Sequence, residues 1–168
     1  SEKWVRVQPG MVRDDLNEVL KPYGLHFAPD PATSSRANVG GMVSNNSSGT
    51  KSILYGKTVD HVLEASVLLA DGTELHRVGW YNLDEFTYTD QWNLGKLICG
   101  SEGTLATTLE LKLNLTDLPK YKSVCVIHFT EVLEAISSVE SMLPYAPSAI
   151  EILDKTVIDL SRQNLTTK

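Results

Sequence analysis

Residues 29–56 read PDPATSSRANVGGMVSNNSSGTKSILYG. Small and turn-forming residues dominate, with apolar ones spaced among them. Gly40 and Gly41 carry no Cβ, so atoms of another molecule can approach the backbone there. Asn45, Asn46, Ser47, Ser48 and Gly49 follow with side-chain donors and acceptors and more bare backbone. Such a segment is expected to contribute little core. It is suited to cradling a polar group through main-chain N–H donors. The plain alternative is an ordinary surface loop. A second glycine-rich stretch, Gly100–Ala106 (GSEGTLA), opens an alternating strand further along the chain.

Working outward, Trp4–Gln8 alternates and predicts a short strand, ended by Pro9-Gly10. Val12, Leu16, Val19, Leu20 and Tyr23 recur at helical spacing within Met11–Tyr23, with acidic residues between them. That is an amphipathic helix with a solvated face, closed by Pro22-Tyr23-Gly24. Asn38–Asn46 predicts a short helix whose N-terminal N–H groups face a ligand. Val62–Ala70 predicts a mostly buried strand, and Asp71-Gly72 a hairpin into Thr73–Arg77. Trp92, Leu94, Leu97 and Ile98 predict a short helix within Thr89–Gly100.

Leu105, Leu109, Leu111, Leu113 and Leu115 should face one way along a half-buried strand. Thr108, Glu110, Lys112 and Asn114 should face the other. Thr116–Lys122, containing Pro119, predicts a boundary. Beyond it come a strand at Val124–Phe129, a helix carrying Val132, Leu133, Ile136, Val139, Met142 and Leu143 on one face, a strand at Ala149–Leu153 and a helix at Lys155–Gln163. The expected fold class is α+β, with a mixed, largely antiparallel sheet flanked by helices. Domains are expected at 1–117 and 118–168. No internal repeat or low-complexity tract interrupts this order.

A chain of 168 residues is long enough for a sizeable core, and its 42% hydrophobic and 21% charged composition is that of a globular protein. The net charge of −6, without a run of Lys or Arg, argues against nucleic acid and anionic membrane surfaces as main partners. No apolar run is long enough to span a bilayer. Cys99 and Cys125 lie in apolar contexts and read as buried thiols, with neither metal-ligand spacing nor a disulfide framework. The expected location is cytoplasmic, peripheral to a membrane in a longer whole protein.

Gly40-Gly41, Asn46 with Gly49, Tyr55-Gly56 and Gly100-Ser101-Glu102-Gly103-Thr104-Leu105 together resemble the flavin domain of the vanillyl-alcohol-oxidase family, the PCMH-type FAD-binding fold. The order of these motifs, and Gly79-Trp80-Tyr81-Asn82-Leu83-Asp84, resemble its D-lactate, glycolate and D-2-hydroxyglutarate dehydrogenase branch. The resemblance implies that residues 1–117 form the second subdomain of that fold and that 118–168 begin a β-α-β substrate-capping domain, the chain being a piece of a longer protein. It implies FAD as cofactor, held by Pro31, Thr33, Ser35, Asn38, Gly40, Gly41, Asn45, Asn46, Gly49, Tyr55, Gly56, Ser101, Glu102, Gly103, Ala106 and Thr107.

The chain departs from the family pattern at Asn38, where Thr is common, and at Ser48 and Ala106, where Gly is common. A long insertion found in many members after the Asp71-Gly72 hairpin is absent or short here.

None of His26, His61, His76 and His128 has a partner at ligand or triad spacing, so structural or surface duty is expected of each. Glu102 reads as a local cap, a contact near the flavin, or both. Tyr55 reads as packing beneath the loop or hydrogen-bonding the cofactor, the first being preferred. The family's acids and bases lie in regions this sequence does not show, so no catalytic residue and no metal ligand is assigned.

Two functions of different class follow. The first is part of an FAD-dependent oxidoreductase that oxidises a D-2-hydroxy acid, D-lactate-like, by hydride transfer to flavin, with a separate electron acceptor as partner. The second is a non-catalytic unit that binds another polar ligand or serves as an interaction module.

Overall fold

The computed structural model describes residues 2–81 and 92–163. Its centre is a four-stranded sheet in the order β1-β7-β3-β4, formed by β1 (Trp4–Val7), β3 (Val62–Leu68), β4 (Glu74–Val78) and β7 (Thr107–Asn114). These are the four expected strands, displaced by one or two residues at their ends. Every pairing among the described residues is antiparallel. Val5 meets Leu113 across β1–β7, and Ala65 meets Leu111 across β3–β7.

Two-stranded pairs join β2 (Leu25–His26) to β8 (Thr116–Asp117) and β5 (Trp80–Tyr81) to β6 (Trp92–Asn93). The Asn82-Leu83-Asp84 part of the family-like segment, and Thr89–Gln91 of the expected helix, lie outside the described residues. The rest of that helix is α5 (Leu94–Ile98).

Alternation puts Val5 and Val7 of β1 and Leu111 and Leu113 of β7 on one face of the sheet. On that face pack α1 (Arg13–Leu20), through buried Leu16 and Leu20, and α2 (Val39–Ser44), through Val39, Met42 and Val43. Phe27, Val62, Ala65, Val67, Val78, Ile98, Ala106 and Leu115 complete the core. The glycine-rich stretch therefore does supply core, contrary to its composition. Its few apolar residues sit at i, i+3 and i+4 of a helix, so one narrow stripe is wholly buried.

Short helices α3 (Ser52–Tyr55) and α4 (Thr58–His61) lead from α2 into β3. Leu105 is 50% exposed, not inward-facing, because it lies in the turn before β7 begins. Between Ser66↔Glu110 and Val67↔Thr108 the register shifts, leaving Leu109 without a counterpart, a bulge that resets the alternation.

Past β8 the chain changes character. α6 (Val132–Met142) and α7 (Lys155–Gln163) form where the spacing predicts them. The expected strands at Val124–Phe129 and Ala149–Leu153 do not form, because neither pairs with another strand among the described residues. No described residue after Leu115 is buried, and Val124 is 89% exposed. Cys125 is consequently exposed, not buried, and Cys99 is half-buried.

Candidate functional site

Two glycine-rich stretches far apart in sequence are brought together by main-chain hydrogen bonds. Gly100 N–H donates to the Val43 carbonyl at 2.9 Å, and Glu102 N–H to the Ser44 carbonyl at 2.8 Å. The loop before β7 is thus fastened to the C-terminal end of α2. Beside the seam runs a groove of about 340 Å³, lined by Pro9, Gly10, Asn38, Gly40, Gly41, Ser44, Gly103, Ala106, Thr107 and Thr108. Of the residues expected to hold a cofactor, it collects Asn38, Gly40, Gly41, Gly103, Ala106 and Thr107. Pro9, Gly10, Ser44 and Thr108 were not foreseen. Pro9-Gly10 carries only a turn signal in sequence, and its approach to α2 is a tertiary event.

The two wall glycines of α2 differ. A Cβ on Gly40 would collide with Pro9, so Gly40 is required by packing of the turn against α2. A Cβ on Gly41 would stand 2.8 Å from Asn38 Oδ1, the acceptor that caps α2 by receiving Gly41 N–H at 2.7 Å. Gly103, at φ +74°, meets nothing within 4 Å at its Cβ position and opens on the groove.

The expected donor cradle at the N-terminus of α2 is not available. Val39 N–H donates to the Met11 carbonyl and Gly40 N–H to Pro9. Gly41 N–H donates to the Asn38 side chain and Met42 N–H to the Asn38 carbonyl. Among the described residues no lysine or arginine lines the groove. Ser101 Oγ is buried and without a hydrogen-bond partner among the described residues.

The other expected site residues are engaged elsewhere. Thr33 and Pro31 offer their carbonyls to the turn that precedes α2, and Ser35 is exposed in that turn. Asn45 Oδ1 accepts from Ser47 Oγ. Asn46, at φ +50°, accepts Val59 N–H on Oδ1 at 2.9 Å, tying α2 to α4. A Cβ on Gly49 would strike the Asp30 carbonyl, and one on Gly56, at φ +81°, would press on the Asp60 carboxylate.

Tyr55 packs its ring edge-on to His26, 5.5 Å between centroids, in line with the packing expected of it. Glu102 is exposed at φ +53°; among the described residues nothing donates to its carboxylate, so the capping role expected of it is not seen.

His26 and His61 are buried and structural. His26 Nδ1 lies 3.2 Å from the Thr116 carbonyl, and His61 Nε2 lies 2.8 Å from that of Tyr55. Burial pushes the His26 imidazole below its ordinary range; positive charge on Arg13, Lys51 and Lys122 adds to this, against the Thr116 bond. His76 is a surface residue 3.5 Å from Glu74. Burial, with Asp60 adding to it, raises the Cys99 thiol to about 11, which keeps it protonated and unreactive. Among the described residues no three His, Cys, Asp or Glu side chains group to hold a metal.

The family described as FAD binding domain matches residues 1–77. The D-2-hydroxyglutarate dehydrogenase of Pseudomonas putida is 34% identical over 211 positions, covering 98% of this chain and 21% of that enzyme. Residues 1–77 are similar to that FAD binding domain, and nearly the whole chain is similar to part of the dehydrogenase. A probable mitochondrial D-lactate dehydrogenase of Danio rerio is 37% identical over 157 positions, covering 92% of this chain and 31% of the relative. Among solved structures, alkyldihydroxyacetonephosphate synthase superimposes with a TM-score of 0.74 at 23% identity over 95% of this chain and 28% of that one, which shows a shared fold.

The chain thus spans about a fifth of the hydroxyglutarate dehydrogenase it matches. That alignment is longer than the 168-residue chain, so the relative carries residues without a counterpart here. No helix among the described residues is long and apolar enough to cross a membrane.

The groove suits one part of FAD and not another. Its main-chain wall and the bare face at Gly103 fit a planar group with hydrogen-bonding edges. The absence of cations and of spare helix N–H donors does not fit an anionic pyrophosphate.

Proposed function

We propose that the groove between Pro9–Gly10, Asn38–Ser44 and Gly103–Thr108 is one wall of the FAD site of a hydroxy-acid dehydrogenase, and that it faces a flat, neutral part of the cofactor. The observation that carries this reading is the meeting of the two glycine-rich stretches at a groove with no charged lining. Asn38 shapes the wall by capping α2. Thr107 and Thr108, the first residues of β7, close the groove on the sheet side.

FAD supplies the hydride-accepting chemistry when bound; these residues hold and orient, and none is placed to move a proton. The pyrophosphate takes its donors from outside the groove. Pro31, Thr33, Ser35, Asn45, Asn46, Gly49, Tyr55, Gly56 and Glu102 act at one remove, by fixing the segments that carry the wall.

The substrate of the whole protein is a D-2-hydroxy acid, a class shared by relatives named for D-2-hydroxyglutarate and D-lactate. An electron acceptor reoxidises the flavin. D-lactate itself is the narrower reading, supported by relatives that align without extra length.

Thr107→Trp tests the wall. Thr107 is exposed on the groove, so an indole there fills cofactor space without entering the core. The full-length variant should purify folded but with most of its flavin absorbance lost. Full flavin content in that variant would move the site elsewhere. Gly41→Val is a poorer probe, because it also displaces the Asn38 cap.

A further inference from the structure

A second groove, of about 530 Å³, lies on the outer face of the four-stranded sheet and shares no residue with the first. Arg6, Leu63, Glu64, Arg77, Gly79 and Lys112 line it. Arg6 of β1 is the cross-strand partner of Lys112 of β7, which is in turn the partner of Glu64 of β3. One row across three strands therefore carries two cations and one carboxylate, all pointing away from the core.

Glu64 accepts from Arg6 Nη2 at 2.6 Å and from Lys112 Nζ at 2.9 Å, while Glu110 accepts from Arg6 Nη1 at 3.0 Å. The side chains of Arg6, Glu64 and Lys112 are only 29%, 25% and 21% exposed, so this network is partly withdrawn from water. Burial works against the Glu64 charge, but the bonds from Lys112 and Arg6 outweigh it and hold the carboxyl below its ordinary range. The Glu64 carboxylate is thus held ionised, and both it and Glu110 already have partners in two of the cations.

The third cation is left over. The Arg77 guanidinium has neither an ion pair nor a hydrogen bond among the described residues, although it lines the same groove. Its backbone stands at φ +53°, a region that a long side chain enters at a cost of about 1 kcal/mol or more. Nothing in the packing demands an arginine there. The backbone contact, Arg77 N–H to Ser66 Oγ at 3.2 Å, is available to any residue but proline. Three positive groups against two negative ones make this groove cationic in a chain whose net charge is −6.

We propose that the outer groove binds a small anion bearing a carboxylate or phosphate group, with Arg77 as the main contact and Lys112 as the second. Arg77 offers a planar fork of N–H donors matched to either oxyanion, and Lys112 has ammonium hydrogens beyond the one given to Glu64. The Trp4 ring, 4.7 Å from Lys112 Nζ, steadies that ammonium from the far side. Glu64 and Glu110 keep Arg6 and Lys112 in place and also limit the charge, so the site favours a compact anion over a long acidic surface.

Titration of the protein with inorganic phosphate, and separately with malonate, tests this at low ionic strength. The readout is the NMR signals of the Arg77 Nε–H and of the Arg77, Gly79 and Lys112 amides. Saturable shifts confined to this groove are expected with at least one anion, and the tighter one names the preferred group.

Arg77→Gly should weaken binding by about tenfold or more, the effect of losing charge-assisted hydrogen bonds. It should leave the thermal midpoint unchanged or higher, since glycine accepts the positive φ. Arg77→Lys should fall between the two. Absence of saturation with both anions at millimolar concentration, identical shifts from sodium chloride at matched ionic strength, or undiminished binding by Arg77→Gly would each overturn the proposal.

Discussion

Residues 62–68 (VLEASVL) and 124–129 (VCVIHF) are both short, apolar and β-branched-rich, and the sequence reads each as a strand. The first lies between β7 and β4 and buries Val62, Ala65 and Val67. The second has no strand partner among the described residues, and Val124 and Val126 are exposed. Side-chain preference is similar in both; the ladder of hydrogen bonds and the covered face are not. A strand exists by virtue of its neighbours. Residues 2–117 supply those neighbours to one another, and residues 118–163 do not.

The largest effect expected from this contrast is in hydrogen exchange. Amides of Val124–Phe129 should exchange roughly a thousandfold faster than those of Leu111 and Leu113, the ratio between openings of near-zero free energy and a core opening of about 4 kcal/mol. Equal protection in the two segments would mean that 118–163 has a core of its own. Core truncation should divide the regions next. Leu111→Ala, at a fully buried position, should cost about 3 kcal/mol in denaturant unfolding. Val126→Ala should stay within about 0.5 kcal/mol. A comparable loss at both positions would erase the distinction.

A smaller effect is expected where the glycine-rich stretch is held by polar bonds. Asn46→Ala should cost about 2 kcal/mol, combining left-handed strain with loss of the bond to Val59. Asn46→Gly should recover the backbone part and leave about 1 kcal/mol. If both variants match the wild type, α2 and α4 are not coupled through this residue.

The smallest effect concerns the pairing of β2 with β8, where His26 meets Thr116. Burial lowers the His26 pKa in the folded state, so the folded chain binds its proton less readily than the unfolded chain does. Stability is fully present above the ordinary value of 6.5 and falls as pH drops from there toward the lowered folded value. Replacing His26 with Gln should flatten that part of the unfolding curve against pH. An unchanged slope would assign the acid sensitivity to other groups.

The sequence by itself determined the four strands of the main sheet and both long helices of the C-terminal part, because period-2 and period-3.6 patterns and local turn chemistry are properties of neighbouring residues. It also located α2, since Asn38 is a good cap and Val39, Met42 and Val43 follow at core spacing. Only the tertiary structure decided what the glycines are for. Gly40 yields to Pro9, Gly49 to Asp30 and Gly41 to its own cap, while Gly103 alone of these faces open space. A missing Cβ looks the same in sequence whether a ligand or the chain's own backbone fills the gap. The same holds for α2's N–H groups, spent on Pro9 and Met11, and for Arg77, whose guanidinium, unpaired among the described residues, emerges only when β1, β3 and β7 lay their charges side by side. Contacts between residues distant along the chain depend on packing, and packing is settled by the whole core at once.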